Sequence, residues 1–412
     1  MRRLFFACAT VAACASSAAA QKLRDQLGSL LTFGDWGVPL RVGSVAPDGT
    51  VVPNDAFRAS AANAEFGSFL VNWMTASASS TPLASTGGGR VFRFAGGVPV
   101  EDQPAPGPIF GERATTLGRG AVLAGVNYTG VQFSRVRGVP LDAVRLTLTQ
   151  NGAAASTADA INVALSLDYQ MAVTALFATV GVFDRMDVGV VVPFVRSRLT
   201  GQSTANVVAG SAGVSSVVLG GTAAAPLTSS RQNISGRASG IGDVALRAKL
   251  NLVDRPAGGV GLVTDLRFPT GDADNLLGSG TFSARALAVY SGRFGALVPY
   301  ANAGYVYFAD STINNALLAT VGADVDMARW ATVSLSVLGQ RHAGASAYRL
   351  PAGDAGRSLT NIPEIRDDAL SIAFGTKLAV RNNRLTLNVL APFTRGGPRP
   401  DFAYTVGLER AF

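Results

Sequence analysis

The stretch Val244-Ala245-Leu246-Arg247-Ala248-Lys249-Leu250-Asn251-Leu252 decides between a membrane barrel and a soluble fold. Val244, Leu246, Ala248, Leu250 and Leu252 share one parity, and Asp243, Arg247, Lys249 and Asn251 share the other. Successive side chains of a strand point to opposite faces, so the segment has one greasy wall and one charged wall. The same alternation recurs. Leu262, Leu266 and Phe268 oppose Asp265 and Arg267; Leu317, Val321 and Val325 oppose Asp324 and Asp326; Val333, Leu335 and Val337 oppose Thr332, Ser334 and Ser336; Leu370, Ile372, Phe374 and Leu378 oppose Ser371 and Lys377. Ile161, Val163, Leu165, Leu167 and Tyr169 oppose Asn162, Ser166, Asp168 and Gln170, and the same rule reads the first set as outward and the second as inward.

A soluble sandwich also alternates, with its apolar side buried. Three features favour a barrel whose apolar side meets lipid. The predicted strands run to roughly 10–13 residues, long for a globular sheet and matched to a tilted bilayer crossing. Their connections alternate: short at 183–186, 254–258, 291–294, 327–330 and 381–384, long at 134–158, 201–240, 271–280, 309–315, 343–367 and 394–400. Short periplasmic turns and long surface loops are the signature of outer-membrane barrels. Aromatics gather at strand ends, Phe183, Tyr290, Phe294, Trp330 and Phe412 on the short-turn side and Phe268, Tyr305, Tyr307 and Phe402 on the other, where amphipathic rings suit a membrane interface. The reading is all-β: a transmembrane antiparallel barrel with strands near 120–134, 159–182, 186–200, 241–253, 259–270, 281–291, 295–308, 316–326, 331–342, 368–380, 385–393 and 401–412. Residues 145–150 form either an extra strand, raising the count toward fourteen, or an outer extension of a hairpin.

The chain has 412 residues, 47 of them glycine, and only 15% are charged. Outside the leader, the longest nearly apolar stretch is 171–183, too short for a helical span of about 20 residues. Residues 1–20 read as an export signal: Arg2 and Arg3, an apolar run from Leu4 to Ala13, and a small-residue site at Ala18-Ala19-Ala20, with cleavage expected before Gln21. Both cysteines, Cys8 and Cys14, lie in that leader; Cys14 also resembles a lipoprotein site, a weaker match than the site after it. The mature chain then has no thiol for a disulfide, a zinc site or a nucleophile. The formal charge of +8 comes from scattered arginines and three lysines, with no basic stripe, which excludes nucleic acid as a partner.

Residues 21–118 read as a plug inside the barrel or a periplasmic segment at its mouth, with 119–412 as the barrel. Leu23, Leu27, Leu30 and Leu31 fit one helical face, and Phe57, Phe66, Phe69, Leu70 and Trp73 give the stripe of a second helix from Asn54 or Asp55 to Met74. A short hairpin follows at 90–101, then a Pro-rich connector at 103–108.

Asp168, Asp243, Arg247, Lys249, Asp265, Arg267, Arg285, Asp324, Asp326, Lys377 and Glu409 fall on the predicted interior parity. Neighbouring strands pair Asp243 with Arg267 or Arg247 with Asp265. These charges either stiffen a narrow barrel as an ion-pair network or line a pore. Gly240-Ile-Gly-Asp-Val-Ala245 copies a dinucleotide fingerprint, but alternation runs through it where a helix is required, so no cofactor is expected. Asp272, Asp274 and Asn275 lack the spacing of a calcium loop and read as a turn, so no metal is expected. His342, the only histidine, lies six positions from Ser336 on one strand, too far for a hydrolytic pair, so no catalytic residue is assigned.

The stretches 107–120 (Gly-Pro-Ile-Phe-Gly-Glu-Arg-Ala-Thr-Thr-Leu-Gly-Arg-Gly), 240–249 (Gly-Ile-Gly-Asp-Val-Ala-Leu-Arg-Ala-Lys) and 266–280 (Leu-Arg-Phe-Pro-Thr-Gly-Asp-Ala-Asp-Asn-Leu-Leu-Gly-Ser-Gly) together resemble a family of proteobacterial outer-membrane barrels labelled transporters or phenol meta-pathway proteins, loosely similar to long-chain fatty-acid channels. The final strand, with Tyr404, Val406, Leu408 and Phe412 on one face, resembles the signal by which the barrel-assembly machinery inserts such proteins. The resemblance implies a Gram-negative outer membrane, contact with its lipid, and passive passage of a small apolar or aromatic solute. The alternatives are a structural barrel without transport and, less so, a barrel hydrolase. The apolar residues of 201–240 suggest a greasy lip at the channel mouth, or else a flexible surface loop.

Overall fold

The computed structural model describes residues 21–79, 91–95, 98–102, 111–150, 159–210, 215–255, 257–351 and 359–412. The expected leader with Cys8 and Cys14, the Gly96-Gly97 turn and the 103–108 connector lie outside the described residues.

Twelve antiparallel strands form the barrel: β1 (Val122–Phe133), β2 (Ala160–Phe183), β3 (Met186–Val208), β4 (Ala245–Arg255), β5 (Gly258–Arg267), β6 (Ser283–Gly292), β7 (Leu297–Phe308), β8 (Ala316–Ala328), β9 (Ala331–His342), β10 (Ala369–Val380), β11 (Asn383–Pro392) and β12 (Phe402–Ala411). Each pairs with its neighbour, and β12 closes on β1 through the register Phe402↔Gln132 to Ala411↔Leu123. No backbone edge then faces lipid, which a membrane-spanning sheet requires. Along β4, Leu246, Leu250 and Leu252 are exposed while Lys249 and Asn251 are buried. The greasy parity therefore faces outward, as expected for β4, β5, β8, β9 and β10. The aromatics at strand ends are exposed on both rims, among them Phe183, Phe294 and Trp330 at the short turns and Tyr307 and Phe402 opposite. Arg410, out of place on an apolar face, lays its guanidinium 5.1 Å from the Phe412 ring.

β2 and β3 are about twice as long as the other strands, at 24 and 23 residues. A tilted bilayer crossing uses about 9–11, so their long-loop halves stand clear of the membrane. Strand Val144–Thr149 pairs with the raised half of β2, and strand Ser229–Ile241 with the raised half of β3. The segment 145–150 is thus an extension of this wall and not a barrel strand. The wall corrects the outward and inward assignment made for β2. Ile161, Val163, Leu165, Leu167 and Tyr169 face inward and are buried, and Asp168 is exposed on the outside. Above the membrane the outside is water and the inside is protein, so the same alternation serves the opposite polarity. Asp168→Ala is accordingly expected to change unfolding stability by less than about 0.5 kcal/mol in a urea titration; a loss above about 2 kcal/mol would mark an interior charge.

The residues before the barrel cap its long-loop end, not the short-turn end. Helix α1 (Leu23–Ser29) packs on strand Ser229–Ile241, and helix α2 (Ala61–Ser79) lies inside the raised wall. α2 starts later than its stripe suggested, because Asn54 accepts the Ala56 N–H and caps a turn instead. The cap and wall share one core, in which Phe33, Phe57, Phe66, Phe69 and Trp73 meet Phe133, Ile161, Val163, Tyr169 and Leu199. Each buried aromatic contributes on the order of 2–3 kcal/mol. Val217 and Leu219 join this core, and Val217-Val218 adds a strand to the cap hairpin Val42–Val45/Val51–Asn54. Among the described residues of 201–240, Val207, Val217, Val218, Leu219 and Ile234 are built into the cap and its strand pairing, while Val208 and Leu227 stay exposed, so most of this apolar set forms core and not a greasy lip. The short hairpin Val91–Ala95/Val98–Asp102 forms as read.

Candidate functional site in the barrel lumen

Below the cap, the chain from Gly111 onward runs through the lumen to the first barrel strand. Anchors hold it at nearly every step. Asn302 accepts the Glu112 N–H at 2.9 Å and donates back to the Glu112 carbonyl at 2.9 Å. Ser291 accepts the Ala114 N–H at 3.1 Å, and Asn251 donates to the Ala114 carbonyl at 2.9 Å. The Asp187 carboxylate accepts the Leu117 N–H at 3.0 Å, and Thr116 donates to the Asp184 carbonyl in the short β2–β3 turn at 2.8 Å. Gly111 is required here because a Cβ would stand 2.0 Å from the Tyr300 ring.

The interior charges close around this segment. Arg285 donates to Asp265 at 2.7 Å and Arg247 to the same carboxylate at 2.6 Å. Arg247 also reaches Glu112 at 2.8 Å, and Lys249 reaches the other Glu112 oxygen at 3.2 Å. Arg113 binds Asp324 at 3.0 Å. Further down, Lys377 pairs with Glu409 at 2.8 Å, and Asp326 accepts from Thr332 at 2.8 Å. Of the two pairings offered from strand order, Arg247 with Asp265 forms a direct hydrogen-bonded pair. Asp243 braces the 271–280 loop, accepting from Gly271 N–H at 3.1 Å and from Ser279 N–H and hydroxyl at 2.7 Å each. Arg267 lines the cavity described below. Asp168 does not join the group. Glu112 and Arg113, absent from the expected interior set, are its centre: they come from a stretch without strand period, and their only sequence signal was the 107–120 motif.

Above this charged floor and below α2 lies a cavity of about 250 Å³. Its lining is mixed: the apolar Val306, Phe308, Ile313, Leu318, Leu338 and Leu390 alternate with the polar Asn302, Thr320, Gln340 and Ser371, and Ala76 of α2 borders it. Arg247, Asp265, Arg267 and Arg285 form its base, and His342, Tyr348 and Arg399 its rim. An apolar cavity of about 150 Å³ is enough to hold benzene, so this one has room for a single-ring molecule, held by grease above and edged by polar groups. His342 sits at the rim with its Nε2 3.2 Å from Gln340, and Ser336 bonds Tyr300 at 2.6 Å, so the two do not form a hydrolytic pair. The Gly240–Ala245 stretch joins two strands. Asp272 accepts the backbone N–H of Asp274 and Asn275, and Asp274 binds Lys22 of the cap, so these groups lock a loop.

No curated protein sequence matches the chain. Among solved structures it is similar to an outer-membrane channel from Pseudomonas putida F1 (15% identity, 73% of this chain and 98% of that one, TM-score 0.43). It is also similar to a Pseudomonas aeruginosa FadL homologue (11% identity, 73% and 91%, TM-score 0.34) and to the Ralstonia pickettii toluene transporter TbuX (10% identity, 79% and 97%, TM-score 0.31). Residues 149–390, more than half of the chain, match the family described as "Putative MetA-pathway of phenol degradation". With that match on a closed barrel whose grease faces outward, the chain is a transmembrane β-barrel belonging to this family.

Proposed function

We propose that this barrel lets a small apolar or aromatic solute cross the Gram-negative outer membrane passively. The observation that carries the proposal is the partly open cavity of about 250 Å³ between α2 and the charged floor, whose mixed lining includes a cluster of apolar side chains. Its size and lining suit one aromatic ring, and the family description points to the same chemistry. No bond-making step is implied. A solute would be taken from the long-loop side and leave after the Glu112–Arg113 segment shifts. In this scheme Arg267 and Arg285 face the solute, whereas Arg247, Lys249, Asp265, Asp324, Asp326, Lys377 and Glu409 brace the wall against the threaded segment. Residues 1–20 act as the export signal cleaved before Gln21, and Tyr404, Val406, Leu408 and Phe412 present the insertion signal to the barrel-assembly machinery.

The test uses the refolded protein in liposomes. Toluene uptake is expected to exceed that of empty vesicles, while swelling in sugars stays at background because the segment blocks the lumen. Leu338→Trp, which fills the cavity, should lower toluene uptake by about tenfold, since core overfilling closes space without unfolding the barrel. Silence of the wild-type barrel toward aromatics would leave a structural barrel as the function.

A further inference from the structure

The outer wall of the barrel carries a second cavity, unrelated to the lumen. It is a groove of about 570 Å³ where β12, β1, β2, β3 and strand Ser229–Ile241 meet, and its functional lining is Gln132, Gln170, Arg196, Arg198, Arg237 and Tyr404. Its position follows from the outward side chains. On β3 these are Val188, Val190, Val192 and Phe194, then abruptly Arg196 and Arg198. On β12 they are Leu408 and Val406, then Tyr404 and Phe402. Arg196 shares one cross-strand register line with Ala172 of β2, Gly130 of β1 and Tyr404 of β12, so the apolar runs of β3 and β12 give way to arginine and tyrosine on the same line. A switch from apolar to cationic and aromatic side chains is what the border between hydrocarbon and headgroups requires.

The arginines lack a protein explanation. Arg198 and Arg237 are direct cross-strand partners on one face. Side chains so placed stand about 5 Å apart at Cβ, and like charges there destabilise a sheet. Arg196 follows two positions along and lays its guanidinium 6.0 Å from Phe194. Among the described residues none of the three makes an ion pair with a carboxylate. The one acid on this stretch of the face, Asp168, has both oxygens within 3.4 Å of the Gln170 amide. Behind the groove, Val131, Met171 and Val195 are packed into the cap core, so the surface is rigid. Tyr404 lies flat across Gly130, where a Cβ would come within 2.4 Å of the ring, and this keeps the floor of the groove low.

We propose that this groove binds the phosphorylated headgroup of an acylated glycolipid of the lipid A class in the outer leaflet. Guanidinium forks match phosphate oxygens bidentately. A phosphate lying between Arg198 and Arg237 removes their mutual repulsion, and Arg196 with Gln132 and Gln170 completes a polar cradle. A free phosphate would satisfy the arginines alone. A lipid also covers the apolar wall immediately beneath, with acyl chains along Val190, Val192 and Val406, and sugar against Tyr404 and Phe402.

The test is native mass spectrometry and a fluorescence titration of the full barrel in detergent with bis-phosphorylated lipid A. The expected result is a one-to-one complex whose affinity falls by about tenfold or more in the R198Q/R237Q double variant, and by a similar factor when the lipid A is dephosphorylated. Inorganic phosphate at millimolar concentration should not displace the lipid. Gel mobility of the unheated double variant checks that its barrel is closed, and its toluene uptake should equal wild type because the groove is outside the lumen. Equal affinity of the wild type and the double variant, or of the two lipid A forms, would overturn the proposal. Full displacement by inorganic phosphate would overturn the lipid assignment.

Discussion

Replacing Glu112 and Arg113 together by alanine is expected to turn a closed barrel into an ion-conducting one. Glu112 is the shared anion of Arg247 and Lys249, and Arg113 is the counter-ion of Asp324, which has 0% exposure. Breaking a buried pair from one side leaves an uncompensated charge and costs about 3–5 kcal/mol. Here Lys249 loses its Glu112 carboxylate, Asp324 loses its Arg113 guanidinium, and Arg247 loses one of its carboxylates while keeping Asp265. Those groups regain water most easily by letting it into the lumen. The ties left on residues 112–114, from Asn302, Ser291 and Asn251, are neutral and worth about 1 kcal/mol each, while Asp187 and the Asp184 carbonyl still hold the lower end at Leu117 and Thr116. The segment then samples positions off the wall. In planar bilayers the double variant should show stepwise conductance at least about tenfold above wild type. Conductance equal to wild type, with unchanged thermal stability, would mean that the charges do not hold the segment.

A second large effect is expected at Arg137, which joins three parts of the cap. Its guanidinium forks onto Asp367 at 2.9 and 2.7 Å, donates to the Tyr348 carbonyl at 2.6 Å and stacks 5.3 Å from the Phe69 ring of α2. Ser346 adds a hydrogen bond to the same carboxylate at 2.9 Å. Both ends of the pair are almost fully buried, at 2% and 1% side-chain exposure. Arg137 also holds φ 48°, a strained left-handed conformation for a residue with a Cβ, which these contacts must maintain. Arg137→Ala should therefore destabilise the cap by about 3–5 kcal/mol. Amide hydrogen exchange in α2 and in residues 343–351 should accelerate by a factor on the order of 10²–10³. The β5–β8 amides should keep their protection. Arg137→Lys should recover part of the loss, because the charge returns without the fork. Unchanged exchange in α2 would show that the cap stands without this junction.

The barrel was legible because a period of two is a direct geometric consequence of the strand. Residues 244–252 state it in one line, and the same pattern sets all twelve strands, with β3 ending at Val208 and not near 200. Alternation says which residues share a face; it does not say what that face meets. This is why the upper half of β2 was assigned inside out. The clue was the length already evident in a strand placed at 159–182: at 24 residues β2 has more than one crossing's worth of strand, and the excess carries Ser166, Asp168 and Gln170 where β4 carries leucines. The cap helices were legible from Leu23, Leu27 and the Phe57–Trp73 stripe, but their place at the long-loop end was not, since it depends on pairing between Val42–Val45 and Val217–Val218, about 170 positions away. Arg247, Lys249 and Asp265 could be placed by parity. Glu112 and Arg113 could not, because a segment threaded through a lumen has no period, and its partners are chosen by where the chain happens to pass.

The most direct test of the account is a nitroxide scan along β3 from residue 188 to 200 in reconstituted barrels, comparing collision with oxygen, which concentrates in lipid, and with a water-soluble nickel complex. At even positions the account predicts oxygen access at 188, 190, 192 and 194, switching to nickel access at 196 and 198, with odd positions shielded from both throughout. Lipid access at the odd positions, or nickel access along the whole even face, would contradict a barrel that wears its grease outside and ends its membrane contact at Phe194.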